Sequence, residues 1–168
     1  YYNVAAGEKI ARVSANMAMA ADMEVRASST ATTGAYSSAC QRGLPAILME
    51  RGGGGRFTDS EVQAYKRDVK NIMIRMGLLS GEEVHTVQQK NVTRAEYLEA
   101  ETDGLWYPVF SAGDTFAGGA VLGTVRDIWG NLLREYRADY PGIVLYQTVG
   151  LGVKTGDPLI AYGEYVDR

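Results

Sequence analysis

The sequence predicts an α/β segment followed by an all-β domain, and three observations carry that prediction. Up to about Leu79, runs with helical spacing alternate with short apolar or β-branched runs. From about Tyr97 onward the helical period is gone, and short runs of Val, Leu, Tyr and Trp are separated by Gly-Asp and Gly-Gly turns. This second part also repeats itself at a shift of 38 residues: Gly104 with Gly142, Gly118 with Gly156, and Val121-Leu122 with Leu159-Ile160. The expected layout is residues 1–80 as α/β, 81–96 as a linker and 97–168 as the β domain with its two-fold internal repeat.

Taken in order, "GEKIARVSANMAMAADM" places Ile10, Val13, Met17 and Ala20 at helical spacing, and "MEVRAS" is a short strand candidate. "TTGAYSSACQRG" predicts a helix closed by Gly43. "PAILME" is a continuous apolar run of strand length, as expected of a strand covered on both faces. "TDSEVQAYKRDVKNIMIRMG" predicts a long helix. Thr58 and Glu61 form its capping box, Val62, Tyr65, Val69, Ile72 and Met76 its apolar stripe, and Gly77 its end. In the β part each repeat runs Gly, apolar strand, Gly turn, second apolar strand. Two such copies resemble the halves of a barrel-sandwich hybrid, the architecture of lipoyl and biotinyl carrier domains. The joining segment "RDIWGNLLRE" has no Lys to carry such a group, so only the architecture is retained.

With 46% hydrophobic and 22% charged residues, the chain can build a core. Its net charge of -3 and lack of a basic stripe argue against nucleic acid and anionic membrane as main partners. The apolar runs are too short to span a bilayer, and no signal peptide is visible. Cys40 stands alone, which suits a reducing cytoplasm. The opening "YYNVAAGEKIARV" has no initiator Met and is expected to be cut out of something longer.

The chemistry centres on "PAILMERGGGGRF", where an apolar run ends in Glu50 and four glycines follow. Three roles are open for that carboxylate. It can be a loop glutamate held by the turn. The glycine loop can bind an anion, although no G-K-[ST] follows and Glu50 would repel a phosphate. Or Glu50 can be a general base and acid at the carboxyl end of a strand, its pKa raised by burial. Arg51 and Arg56 flank the glycines and could grip a substrate carboxylate, or be solvated loop charges. Cys40 is expected as a buried small hydrophobe and His85 as a solvated linker residue. Tyr36 is expected in the core, and Trp106, Tyr107, Phe110 and Trp129 in the barrel core or the domain interface.

Taken together, "TGAYSSACQRGLPAILMERGGGG", the capped helix ending "RMGLL" and the tail "GLWYPVF.AGD…G..LG.V.D..G" resemble the succinylglutamate desuccinylase/aspartoacylase family, deacylases of the zinc carboxypeptidase superfamily. The resemblance runs from roughly Gly7 to the end. It implies that the α/β part belongs to a zinc-carboxypeptidase-like domain and the rest is barrel-sandwich-hybrid-like. It implies zinc-dependent amide hydrolysis of an N-acyl amino acid or similar small molecule, with Glu50 passing a proton from water to the leaving amine, and a β domain that caps the site and restricts substrate size. The family's zinc ligands come from His-x-x-Glu and Asp-x-His motifs that lie upstream of the matching region, and His85 matches neither. The chain is therefore expected to be the C-terminal portion of such an enzyme, inactive alone. Its truncated sheet is expected to favour self-association or a homo-oligomer. The alternative is a non-catalytic binding module built on the β domain.

Overall fold

The structure, a computed structural model, describes residues 1–167. The chain divides into two compact units, Tyr1–Val92 with the chain end from Val166, and Thr93–Tyr165. The mixed α/β character expected from the sequence is present, and the three helices among the described residues all lie in the first unit.

The first unit runs β1 (Tyr2–Asn3), α1 (Glu8–Ala20), β2 (Val25–Ser29), α2 (Ala35–Gln41), α3 (Asp59–Arg75) and the start of β3 (Lys90–Glu99). The strands are parallel: Tyr2 pairs with Ser28, and Val25 with Lys90. β3 thus begins inside the segment expected to be a linker. α1 packs on β1 and α3. Its deepest positions are small, Ser14, Ala18 and Ala20, while Ile10, Val13 and Met17 are half-buried. Cys40 is buried as expected, with its sulfur 3.6 Å from Ser14 Oγ.

Two expectations fail here. "PAILME" is not a doubly covered strand. Its residues form one isolated antiparallel bridge, Ile47 to Tyr2, and Leu48 N–H donates to Tyr1 C=O at 3.0 Å. Among the described residues no strand lies on the run's other side, so its apolar side chains are half-buried or, at Leu48, exposed. The second failure is the stripe on α3. Val69 and Met76 are exposed, and the fully buried positions are Asp68 and Asn71. The inner face of α3 is polar because it answers charged and backbone groups of the neighbouring loops rather than an apolar core. The expected capping box is present: Glu61 N–H donates to Thr58 Oγ1 at 3.3 Å and Thr58 N–H to Glu61 Oε2 at 2.6 Å.

The second unit contains two sheets around one core. One sheet has the order β3-β10-β8-β5, with β5 Thr115–Phe116, β8 Gly142–Gln147 and β10 Pro158–Asp167. The other has the order β7-β6-β4-β9, with β4 Gly104–Pro108, β6 Val121–Arg126, β7 Leu132–Arg137 and β9 Gly152–Val153. The pairings in these sheets are reciprocal. β4 pairs with β6 and β8 with β10, but β5 pairs with β8 while β9 pairs with β4. Gly104 meets Val153 in one place and Gly142 meets Phe116 in the other. One alignment needs correcting: the glycine that shares a left-handed conformation with Gly156 is Gly119, not Gly118.

The core between these sheets holds Trp106, Phe116, Leu122, Val125, Tyr136, Val144, Leu159, Ile160 and Tyr162. Trp106 and Tyr136 meet edge to face at 5.7 Å. Phe110 packs at the margin, but Tyr107 and Trp129 are exposed, contrary to the core expectation. Trp129 sits on the β6–β7 turn, which is closed by Asp127 accepting the N–H groups of Trp129 and Asn131. Among the described residues no helix is long and apolar enough to cross a membrane.

Candidate active site

Glu50 lies in the loop between the 45–49 run and α3. Its side chain is exposed, whereas Met49 and Arg51 on either side are half-buried. The burial expected of a strand end is therefore absent among the described residues. Burial lowers the pKa of the Tyr1 ammonium, and the Glu50 carboxylate lies near enough to raise it in part.

The glycines make the loop turn back on the start of α3. Gly53 and Arg56 form a bridge, with Arg56 N–H donating to Gly53 C=O at 3.2 Å. Gly52 is left-handed, at φ +77°, and a Cβ there would stand 3.1 Å from Glu61 Oε1 and 3.2 Å from Arg56 O. No larger residue fits without moving the capping box. These glycines thus serve the turn's geometry.

The backbone around Glu50 is tied to α3 at two points. Tyr65 Oη accepts from Arg51 N–H at 2.8 Å and donates to Met49 C=O at 3.3 Å. Arg51 Nε and Nη2 donate to Asp68 Oδ2 and Oδ1 at 2.8 and 3.0 Å, and Nη2 also reaches Asp22 C=O at 2.7 Å. Asp68 Oδ1 accepts Asp22 N–H as well, at 2.8 Å. The Arg51 fork is filled by the protein itself, while Arg56 is exposed with no side-chain partner among the described residues.

Asp22 is the second buried carboxylate of this network. Burial pushes its pKa up, but that is outweighed by hydrogen bonds from the backbone and hydroxyl of Thr86, from Arg67 Nε and from Val87 N–H, and the group is held at about 2. His85 is exposed and shares Glu83 with Arg75: its Nε2 lies 2.9 Å from Glu83 Oε2, and both Arg75 Nε and Nη2 donate to Glu83. Arg75 foremost, against the cost of burial, holds the Glu83 carboxyl below the usual range. Arg75 and His85 border a cavity of about 220 Å³ lined also by Met19, Met23 and Gln89, and neither Glu50 nor Arg56 is among its walls. Among the described residues no group of three His, Cys, Asp or Glu side chains could hold a metal ion.

The structure brings Glu50 and Arg51 together on one loop with Arg56 at its far end, and keeps Cys40 and His85 out of it. Sequence reasoning missed Tyr65, Asp68 and Asp22. The available signal was Asp68 itself, a carboxylate three residues after Tyr65 on the same helical face.

No family model matches the chain. Over 127 residues it is 28% identical to an N-alpha-acetyl-L-2,4-diaminobutyric acid deacetylase from Halomonas elongata, covering 72% of this chain and 37% of that protein. The apo structure of the ectoine utilization protein EutE (DoeB) from Ruegeria pomeroyi matches at 26% identity and TM-score 0.78, over 92% of this chain and 51% of that one. Its product-bound structure reaches TM-score 0.85 at 22% identity, over 97% and 52% of the two chains. A succinylglutamate desuccinylase/aspartoacylase from Rhodobacter sphaeroides matches at TM-score 0.79 and 21% identity, over 99% and 52%. The chain spans about half the length of these solved proteins and less of the deacetylase. In sequence, over 72% of its length, this chain resembles a deacetylase, and in fold it resembles the succinylglutamate desuccinylase/aspartoacylase family.

Proposed function

We propose that this chain is the general-base-bearing part of a hydrolase that cleaves the amide of an N-acylated amino acid or similar small molecule. The observation that carries this reading is Glu50: an exposed carboxylate on an otherwise fixed loop, in a chain whose sequence relative is a deacetylase. In the reaction Glu50 takes a proton from water as the water oxygen bonds to the acyl carbon. The C–N bond then breaks, and the same carboxyl gives the proton to the amine nitrogen. The products are a carboxylate and a free amine. Arg56, an exposed cation of the loop, is assigned to meet a substrate carboxylate.

The family resemblance implies zinc. The residues described here do not fit a site of three protein ligands, since the chain has one His and that His is engaged with Glu83. Any zinc in the reaction is therefore held by residues other than these, and the chain by itself is expected to be inactive. We also assign the second unit to the barrel-sandwich-hybrid type, on the reciprocal exchange of β5 and β9. Self-association through the open side of the 45–49 run belongs to the same proposal, and light scattering at rising concentration tests it.

The test is hydrolysis of N-alpha-acetyl-L-2,4-diaminobutyric acid by the natural protein, meaning the whole hydrolase of which this chain is proposed to be a part, and by its Glu50→Gln variant. Loss of at least about a hundredfold in kcat with little change in KM supports the assignment. Activity that survives Glu50→Gln overturns it. A second reading, a binding module on the β unit, is favoured by Trp129, which is 83% exposed on a turn tied by Asp127. Binding that survives Glu50→Gln but fails in Trp129→Ser would select it.

A further inference from the structure

We propose that Tyr65 is a positioning residue for Glu50, acting through both peptide groups that bound it; this rests on the assignment of Glu50 as the general base. Met49 C=O belongs to the peptide unit before the Glu50 Cα, and Arg51 N–H belongs to the unit after it. Both end on one atom, Tyr65 Oη, at 3.3 and 2.8 Å. A phenol can serve both at once, because it has one O–H to donate and lone pairs to accept. With the two flanking peptide planes fixed, φ and ψ of Glu50 are fixed, and the direction in which its side chain leaves the backbone follows.

The anchor is itself held. Tyr65 and Asp68 lie three apart on one face of α3. Asp68, buried completely, takes both prongs of the Arg51 guanidinium, which stands 5.9 Å from the centre of the Tyr65 ring. Residue 51 is thus tied through its backbone to Tyr65 and through its side chain to Asp68. Arg51 acts as scaffold in this arrangement, and its charge is committed inward rather than to a substrate. Beyond it the chain returns to the α3 N-terminus at Gly52 and Glu61. Glu50 is exposed between two anchored, half-buried neighbours. A general base has to stand within hydrogen-bond reach of the proton it takes, and a displacement of about 1 Å can cost about a hundredfold in rate.

Tyr65→Phe keeps the ring and removes the one oxygen. In the natural protein, with N-alpha-acetyl-L-2,4-diaminobutyric acid as substrate, we expect kcat to fall about ten- to a hundredfold with KM changed less than about threefold. In a Glu50→Gln background the same change should add nothing, because the group it positions is gone. Hydrogen exchange of the Arg51 amide should quicken in Tyr65→Phe, a readout that needs no activity. Asp68→Asn, which leaves the phenol in place, should give a smaller fall in kcat. If Glu50→Gln abolishes turnover and Tyr65→Phe leaves kcat and Arg51 exchange unchanged, the positioning role is overturned while the base survives. If Glu50→Gln retains turnover, the base assignment falls and the positioning role falls with it.

Discussion

Arg51 and Asp68 form a two-pronged ion pair that joins the Glu50 loop to the buried face of α3, at 2.8 and 3.0 Å. The Asp68 side chain is fully buried and that of Arg51 is 20% exposed. Removing one partner of such a pair strands the other charge, which costs about 3 kcal/mol or more, whereas replacing both by apolar groups can be nearly neutral. Asp68→Ala should therefore destabilise the first unit by about 3 kcal/mol in urea unfolding. Arg51→Met with Asp68→Leu should recover most of that loss. A double variant as unstable as the single would show that packing, not the stranded charge, sets the cost.

The neighbouring carboxylate, Asp22, makes the first unit acid-sensitive. Its folded pKa of about 2 lies below the ordinary 3.8. A depressed acid stabilises the fold fully above its unfolded pKa, and that contribution is lost as pH falls through the folded one. The predicted window is pH 4 down to 2, and the size is about 2 kcal/mol. Unfolding measured at pH 5 and pH 2.5 should show this fall in the natural chain and a smaller one in Asp22→Asn. Equal slopes in the two proteins would remove Asp22 from the explanation.

Helix α3 shows what the residues alone could and could not reveal. Its ends were legible, because a capping box and a terminal glycine are local chemistry: Thr58, Glu61 and Gly77 behave as their types require. Its inner face was not. A helical period says that one side is buried, but not whether Asp68 and Asn71 or Val69 and Met76 sit at the centre of it. That depends on Arg51 and Val84, which approach from loops at long sequence separation. The "PAILME" run failed for the same reason. Composition allows a covered strand, but cover requires neighbours on both sides, and Ile47 has one in Tyr2. The glycines of the β part were legible because close strand approach is a local requirement. Gly104 and Gly142 recur where a Cβ would strike Arg126 O at 2.7 Å and Gly163 O at 2.6 Å, so close strand approach requires glycine twice.

In the second unit the tightest glycine is Gly123. A Cβ there would lie 2.2 Å from Trp106 Cη2 and 2.7 Å from both Cζ2 and Cζ3. Trp106 is 2% exposed and is held edge to face by Tyr136, so the ring has no room to retreat. Overpacking of this kind costs about 1–3 kcal/mol, and Gly123→Ala should fall at the upper end. Trp106→Phe, which is smaller, should relieve part of it in the double variant. Gly123→Ala with an unchanged melting temperature would mean that the strands can separate at β6 without cost.

The two tryptophans should report opposite environments, since Trp106 is buried in the core and Trp129 is exposed on the β6–β7 turn. That turn is ordered by its own chemistry. Asp127 takes the amides of Trp129 and Asn131 at 2.8 and 2.9 Å and the Asn131 side chain at 2.8 Å. The Asn131 bond foremost, against a smaller burial effect, holds the Asp127 carboxyl below its usual range. Trp129→Phe should therefore leave stability within about 0.5 kcal/mol, because the turn does not depend on the ring. It should shift the remaining emission to the blue and abolish the fraction quenched by acrylamide. Trp106→Phe should do the reverse, leaving red, readily quenched emission from Trp129. If Trp129 instead proves blue and protected at high protein concentration but quenched on dilution, the ring is covered by a second copy of the chain. Protection that persists at the lowest measurable concentration would overturn its placement at an open hairpin tip.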